Sequence, residues 1–320
     1  MATSVDMRVL DQSGLLPERP TGIKTWPGAA LKFARRKPLG AFGGLLVVGM
    51  LFIAIFVDTA LIGGSRPLIA PDGYNHQHIR DVNQGMSFWH PMGTDDLGRD
   101  IFSRILYGAR ISAVIGLLTV TISTVISLLL GTMSGYFKGW IDTTVQRVID
   151  VILSIPGLIL LIFAISVFAG RAGPYTRMGW IILILAFLVA AAAVRVVRSA
   201  AIATANNQYV DAARVIGASD ARIILRHLLP NVLPVAIVLA TVNVGGIILV
   251  EAAISFLGYG IPSPFPSWGS MLNIAGSAQF RAEPLQALWP GLAIALTVYG
   301  FNMFGDALRD VLDPRMRGSR

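Results

Sequence analysis

The chain has no cysteine, which excludes a disulfide framework, a thiolate metal site and a thiol nucleophile, and leaves its compartment unread by redox chemistry. Charge is also scarce. Only 14% of the 320 residues are Asp, Glu, Lys or Arg, where an ordinary globular protein carries roughly 25%. With 54% hydrophobic residues and a mean hydropathy of +0.66, the chain lacks the polar skin that a water-facing surface of its size needs. Its length would otherwise suggest two soluble domains, but the uncharged residues come in long blocks. No GxSxG, HExxH or Walker A pattern occurs, so catalytic residues, a metal and a nucleotide site are expected to be absent from this chain.

The uncharged blocks set the fold class. Six stretches free of Asp, Glu, Lys, Arg and His cover residues 39–57, 111–137, 151–170 and 178–194, then the run between His227 and Glu251, and the run between Glu283 and Asp306. A helix needs about 20 apolar residues to cross the hydrocarbon core, so the sequence predicts an all-α integral membrane protein with six transmembrane helices. The first 38 residues lie ahead of the first run, and that run exceeds a signal-peptide core of roughly 7–15 residues, so it reads as a retained span. An even number of spans places both termini on one side. With the N and C termini cytoplasmic, 18 of the 26 Lys and Arg residues fall inside and 8 outside, the bias of the positive-inside rule. The net charge of +8 is then topological, not a nucleic-acid footprint. Tyr136 and Trp140 fit the inner aromatic belt; Trp180, Trp268 and Trp289 fit the outer one. Arg195 and Arg198, at the end of the fourth span, are expected to snorkel to the interface.

Two loops exceed simple connections: an external one over 64–110 and a cytoplasmic one over 195–231. In the cytoplasmic loop, Tyr209, Ala212, Ala213 and Ile216 recur at helical spacing. Gly217 interrupts where a left-handed residue is cheap, and Ser219 can cap a second helix whose positive end suits Asp220. Ile223, Ile224, Leu228 and Leu229 continue an apolar stripe to Pro230. The residues alone allow an amphipathic hairpin on lipid headgroups, with Arg222 and Arg226 touching phosphates, or a surface that another protein approaches.

The stretch Asp211-Ala212-Ala213, Gly217 and Leu228-Leu229-Pro230 resembles the EAA loop of ABC-importer permeases. The resemblance implies a coupling helix that docks on an ATP-binding subunit, with Asp211, Ala212, Ala213, Arg214, Gly217, Ala218, Ser219, Asp220, Arg222, Leu229 and Pro230 as the ATPase-coupling set. Asp211 stands where the family usually has Glu, one methylene longer. In the external loop, Gly93-Thr94-Asp95 can close a turn and start a helix, with Thr94 or Asp95 as cap. Leu97, Ile101, Ile105 and Leu106 then lie roughly on one face and Arg99, Asp100 and Arg104 on the other, which predicts an interfacial helix leading into the second span. The block Gly93, Thr94, Asp95, Asp96, Leu97, Gly98, Arg99, Asp100, with Gly108 to Ser112, resembles the C-type permeases of dipeptide, oligopeptide and nickel importers. So do Ser154-Ile155-Pro156, residues 251–260 and residues 306–314.

What this resemblance implies is a type I ABC importer permease fold over 39–312, flanked by a cytoplasmic N-terminal arm at 1–38 and a tail at 313–320. The implied partners are a second homologous permease in a heterodimer, two cytoplasmic ATP-binding subunits that hold ATP and Mg, an external solute-binding protein and the lipid bilayer. The implied ligand is a peptide-class solute, with nickel or a glutathione-like ligand as alternatives. An ion-coupled secondary transporter or channel is the competing class; it would want midplane ionisable groups, which these spans almost lack.

The remaining polar residues have individual readings. His76 and His78, at a spacing of two, can share a metal on an extended segment; with no carboxylate cluster near them in sequence they, like His90, read as ordinary loop histidines. Asp58 and Asp306 are expected to be solvated at span ends, and Asp150 to pair with Arg147. Glu251, towards the outer end of the fifth span, reads as a structural hydrogen-bonding group ahead of a direct substrate contact. Pro156, Pro230 and Pro234 interrupt helical bonding, and glycines 43, 44, 49, 131, 135, 245 and 246 allow close helix contacts.

Overall fold

The computed structural model describes residues 33–58, 67–277 and 285–312. The expected arm up to residue 32, Arg66, Arg281, Glu283 and the tail 313–320 lie outside the described residues. The chain divides into two compact units, Met1–Pro38 and Leu39–Arg320; the fold is that of the second. Its helices are α1 (Pro38–Phe56), α2 (Ile101–Phe137), α3 (Gly139–Ser154), α4 (Gly157–Ala169), α5 (Pro174–Ala205), α6 (Gln208–Val215), α7 (Asp220–Phe256), α8 (Trp268–Ser277) and α9 (Leu285–Leu312). No strand occurs among the described residues.

Five helices, α1, α2, α5, α7 and α9, are long and apolar enough to cross a membrane. The third expected span is bent, and counted as one broken span it makes six. α3 and α4 meet at a bend of 91°, because Pro156 has no N–H to continue the ladder and its ring forces the preceding residue out of the helical region. Ile155 is accordingly extended, at φ −97 and ψ 135. α4 restarts on the Pro156 carbonyl, which accepts from the Ile159 and Leu160 N–H groups. Its 13 residues extend about 20 Å, short of the ~30 Å hydrocarbon thickness.

The other boundaries also move. α2 has 37 residues, about 55 Å of helix, and absorbs the separate interfacial helix expected before residue 111. It starts not at Thr94 or Asp95 but after Asp100, whose carboxylate accepts the Ser103 N–H at 2.7 Å. α7 likewise absorbs the second short helix of the 195–231 loop. Its turn Ile224–Leu228 is widened, with the Leu229 N–H donating to the Ile224 carbonyl five residues back. That widened turn accommodates Pro230, which has no N–H to offer.

Lipid tails are as apolar as leucine, so helices in a bilayer are held by close packing and not by hydrophobic expulsion. The broadest contact is α2 against α5. There a Cβ on Gly131 would stand 2.6 Å from Val197 Cγ1, and one on Gly135 would stand 2.8 Å from Ala201 Cβ and 2.9 Å from the Arg198 carbonyl. The α5 residues opposite include Val194, Val197 and Ala201, all buried. Gly49 and Gly246, expected to make similar contacts, have open space around them. On the outer surfaces of α1 and α4, Leu45, Val48, Ile159 and Phe163 are exposed, as suits a lipid or subunit environment.

Charges at the α5 end are paired where snorkelling was expected. Arg198 donates through Nε and Nη2 to the two carboxylate oxygens of Asp142, at 2.6 and 2.5 Å. Asp150 pairs with Arg147 as expected, at 3.8 Å, and more closely with Arg195, at 2.5 Å. The Arg198 and Arg195 bridges lash α3 to α5. Asp58, expected to be solvated, is half-buried and bonded to Arg110 at 2.7 Å.

Gly131→Leu is expected to overpack the α2–α5 seam and cost about 1–3 kcal/mol. Thermal melting of the detergent-solubilised chain should show a clear drop for Gly131→Leu and none for Gly246→Ala. Equal melting of the two variants would refute this account of the seam.

Candidate functional site

The two ends of α2 carry the two candidate sites. At its C-terminal end, α6 closes in a Schellman turn. The Gly217 N–H donates to the Arg214 carbonyl and the Ala218 N–H to the Ala213 carbonyl, both at 3.0 Å, with Gly217 at φ +81. A Cβ there would meet nothing within 4 Å, so glycine is required by backbone conformation and the space beside it is open. Ser219 occupies the N-cap position of α7, but its side chain caps nothing.

The buried side of α6 is Val210 and Ala213; of the face read at helical spacing, Ala213 turns inward while Tyr209, Ala212 and Ile216 are exposed. Val210 and Ala213 pack with Ala205, Ile223, Leu228 and Tyr136 in a small core of their own. Turning those residues inward turns Val215 and Ile216 outward, 87% and 84% exposed. Of the expected coupling residues, Asp211, Ala212, Arg214, Gly217, Ser219, Asp220, Arg222 and Pro230 are exposed. Ala218 and Leu229 are half-buried, and Ala213 belongs to the core.

Tyr136, read from sequence only as a belt aromatic, ties this unit to α2. Its hydroxyl donates to Asp220 Oδ1 at 2.6 Å, and the Arg214 guanidinium lies 5.3 Å above its ring. Arg214 also donates to Asp211 at 3.0 Å. Tyr136 and the neighbouring Asp211 push the pKa of Arg214 up. No spacing rule connects Tyr136 with Asp220, 84 positions apart.

At the other end of α2, the 93–100 block forms a clasp and not an amphipathic helix. Gly93 and Gly98 adopt φ +80 and +69, and Asp95 Oδ1 accepts the Leu97 and Arg99 N–H groups at 3.0 and 2.9 Å. Arg99 Nε donates to Asp95 Oδ2 at 2.7 Å. Arg99, Asp100 and Arg104, expected on a polar face, are buried. Burial is tolerable because each is bonded: Asp100 to His90 Nδ1 at 3.0 Å, Arg104 to the Tyr74 carbonyl at 2.9 Å. Thr94 accepts the Gln84 N–H at 2.9 Å, and its carbonyl accepts Gln286 Nε2 from α9 at 2.8 Å. Trp268 of α8 donates to the Ile105 carbonyl at 3.0 Å. The block thus fastens segment 72–90, α8 and α9 to one end of α2.

Beside the clasp lies a cavity of about 740 Å³, lined among others by Tyr74, His76, Tyr107, Arg110, Tyr175 and Phe265. Arg110 crosses to the end of α1, donating to the Ala54 and Ile55 carbonyls at 2.6 and 3.2 Å as well as to Asp58. A cation there satisfies carbonyls left open at a helix C-terminus. Glu251 is not part of this lining. It is buried between α7 and α2, accepting from Ser255 Oγ at 2.7 Å and Ser112 Oγ at 3.5 Å.

The architecture is therefore a lipid-facing helical bundle with a Gly-hinged, outward-facing helix at one end and a locked clasp at the other. The family model for binding-protein-dependent transport system inner membrane components matches residues 127–318, which include α6, Gly217 and α7. The chain belongs to this family. The permease is 37% identical over 298 residues to the dipeptide transport system permease protein DppC of Alkalihalophilus pseudofirmus, covering 93% of this chain and 92% of that one. It is 36% identical over 282 residues to the glutathione transport system permease protein GsiD of Pectobacterium atrosepticum, covering 88% and 89%. To the protein of the same name from Escherichia coli O6:K15:H31 it is 38% identical over 301 residues, 94% of each chain. It is thus an inner-membrane, non-catalytic subunit of an ABC importer, working with an ATPase and a binding protein.

Gly98→Ala would place a Cβ 2.2 Å from the His78 carbonyl oxygen at a φ that L-residues avoid. Size-exclusion chromatography in detergent should find most of that variant aggregated. Tyr136→Phe keeps the ring but loses the Asp220 bond, at a cost of about 1 kcal/mol. Hydrogen exchange should rise in residues 208–228 and stay unchanged around the clasp; a uniform rise would refute the assigned role of Tyr136.

Proposed function

We propose that the permease pairs with a second, homologous permease and two cytoplasmic ATP-binding subunits, with both its termini and α6 in the cytoplasm and the 93–100 clasp outside. The observation that carries this reading is the pair Val215 and Ile216. Two large apolar side chains stand almost fully exposed on a short helix whose opposite side is anchored, beside an open-spaced Gly217. Such a knob matches a cleft on another protein, and its flanking Asp211, Arg214 and Arg222 offer the polar rim of an interface. ATP and Mg belong to the partner subunits in this reading.

The mechanism follows from α2. When the ATP-binding subunits close, they displace α6 together with the Gly217 turn and the start of α7 through Ala218, Ser219, Asp220, Leu229 and Pro230. The Tyr136–Asp220 bond passes that displacement to α2, a continuous helix whose far end holds the clasp and the cavity. The same stroke that moves α6 therefore shifts the walls of the outer cavity. ATP hydrolysis resets the assembly.

The transported solute is of peptide class. Relatives named for dipeptide and glutathione transport support this, both being short peptides. The cavity also supports it, since its volume lies in the range of small-molecule sites, roughly 300–1,000 Å³, and its wall combines tyrosines with the Asp58–Arg110 pair. Nickel or a glutathione-like solute would use the same architecture.

Affinity purification in mild detergent is expected to recover a second permease and two ATPases. In reconstituted vesicles, Ile216→Asp should lower ATP-driven uptake of a labelled dipeptide at least about tenfold, the equivalent of ~1.4 kcal/mol of lost docking energy, while leaving the melting temperature unchanged because Ile216 touches no core. Uptake by the lone chain without ATP would overturn the reading.

A further inference from the structure

We infer that Asp72, His76 and His78 form a binding site for a divalent transition-metal ion at the rim of the outer cavity. The sequence places Asp72 four residues before His76, and the fold turns its carboxylate onto both histidines. A turn closed by the His76 N–H on the Gly73 carbonyl, at 2.9 Å, folds Asp72 back over both rings. Asp72 Oδ1 then lies 3.2 Å from His76 Nδ1 and Oδ2 lies 2.6 Å from His78 Nε2.

One ligand atom from each of the three residues falls within 4.8 Å of the others. An ion bound at about 2.0–2.2 Å from each fits that triangle with a small opening of the Asp72–His78 bond. The donor set is two imidazole nitrogens and one carboxylate oxygen, which suits zinc, nickel or copper better than magnesium or calcium.

The surrounding bonds hold these residues in place, as a metal site requires. The Asp72 N–H donates to Ser103 Oγ at 3.1 Å, the His78 N–H to the Gly98 carbonyl at 3.0 Å, and Arg104 to the Tyr74 carbonyl at 2.9 Å. All three anchors lie in the clasp or on α2. His90, whose ring is 5.3 Å from that of His78, stays outside the set: its Nδ1 is bonded to Asp100 and its Nε2 lies 3.8 Å from Asp81. His76 also lines the cavity, so the ion sits where cavity and clasp meet. Three protein ligands leave room for water or another donor on the metal.

The chain suits a clean test, having no cysteine and four histidines. The full chain, purified in mild detergent through a streptavidin-binding tag with its partner subunits, is dialysed to equilibrium against zinc, and cobalt is titrated while its visible absorption is followed. Wild type should bind one more zinc ion per permease than the His76→Ala/His78→Ala double variant. Each single variant should bind at least about tenfold more weakly than wild type, and His227→Ala should be unchanged. His76 is 60% exposed and its loss leaves the Asp72–His78 bond intact, so a matching melting temperature separates lost binding from lost folding. Equal zinc content and cobalt spectra in wild type and the double variant would overturn the site.

Discussion

The bundle is organised around the close approach of α2 to α5. Without expulsion by water, two helices in a bilayer stay together only where their backbones come near enough for dense contact. Gly131 and Gly135 on one side, with Ala201 opposite, remove the side-chain bulk that would prevent it, and Val197 fills the space left at Gly131. Around that seam α7 packs on α2 and α9 packs on α7. The seam also fixes where the ends of α2 lie, and both candidate sites are built on those ends.

Charge follows from the same constraint. A buried charge in this setting is stabilised when it is paired or bonded, and most of the named ones are, although Arg177 Nε is buried with no hydrogen-bond partner among the described residues. Arg198 and Arg195 hold α3 against α5, Arg110 closes the end of α1, and Arg99, Arg104 and Asp100 form the clasp. Each bond also transmits position. In the proposed mechanism a displacement entering at Gly217 meets Tyr136 first, then an uninterrupted helix, then the clasp. The exposed Val215 and Ile216 stand on the side of α6 away from its core, where the proposed docking would engage them.

Asp72 with His76 and His78 shows how little of a polar site resides in spacing. Two histidines two residues apart are common and uninformative; a turn at Gly73 and three anchors to the clasp and α2 give them a shared carboxylate. The Tyr136–Asp220 bond is a second case. Its members are unremarkable apart and become a mechanical joint only when α6 folds back under α2.

The apolar runs, their approximate limits and the turn at Gly217 are legible in the residues alone, because lipid burial is written in composition and a left-handed turn in a local residue choice. The sequence also carried the family, through the register of Asp211, Ala212, Ala213, Gly217 and Pro230. It did not determine whether Pro156 kinks a span or breaks it, since a proline permits either and packing against α5 chooses. Nor did it say which side of α6 is buried: Val210 and Tyr209 both have apolar claims, and the position of Tyr136 decides between them. The buried clasp was misread as a polar helix face for the same reason. Its bonds join Thr94 to Gln286 and Arg104 to Tyr74 across 192 and 30 positions. Pairings over such separations are decided only in the tertiary structure, because a charge is cheap to bury only beside its partner and the folded bundle alone says which partner arrives.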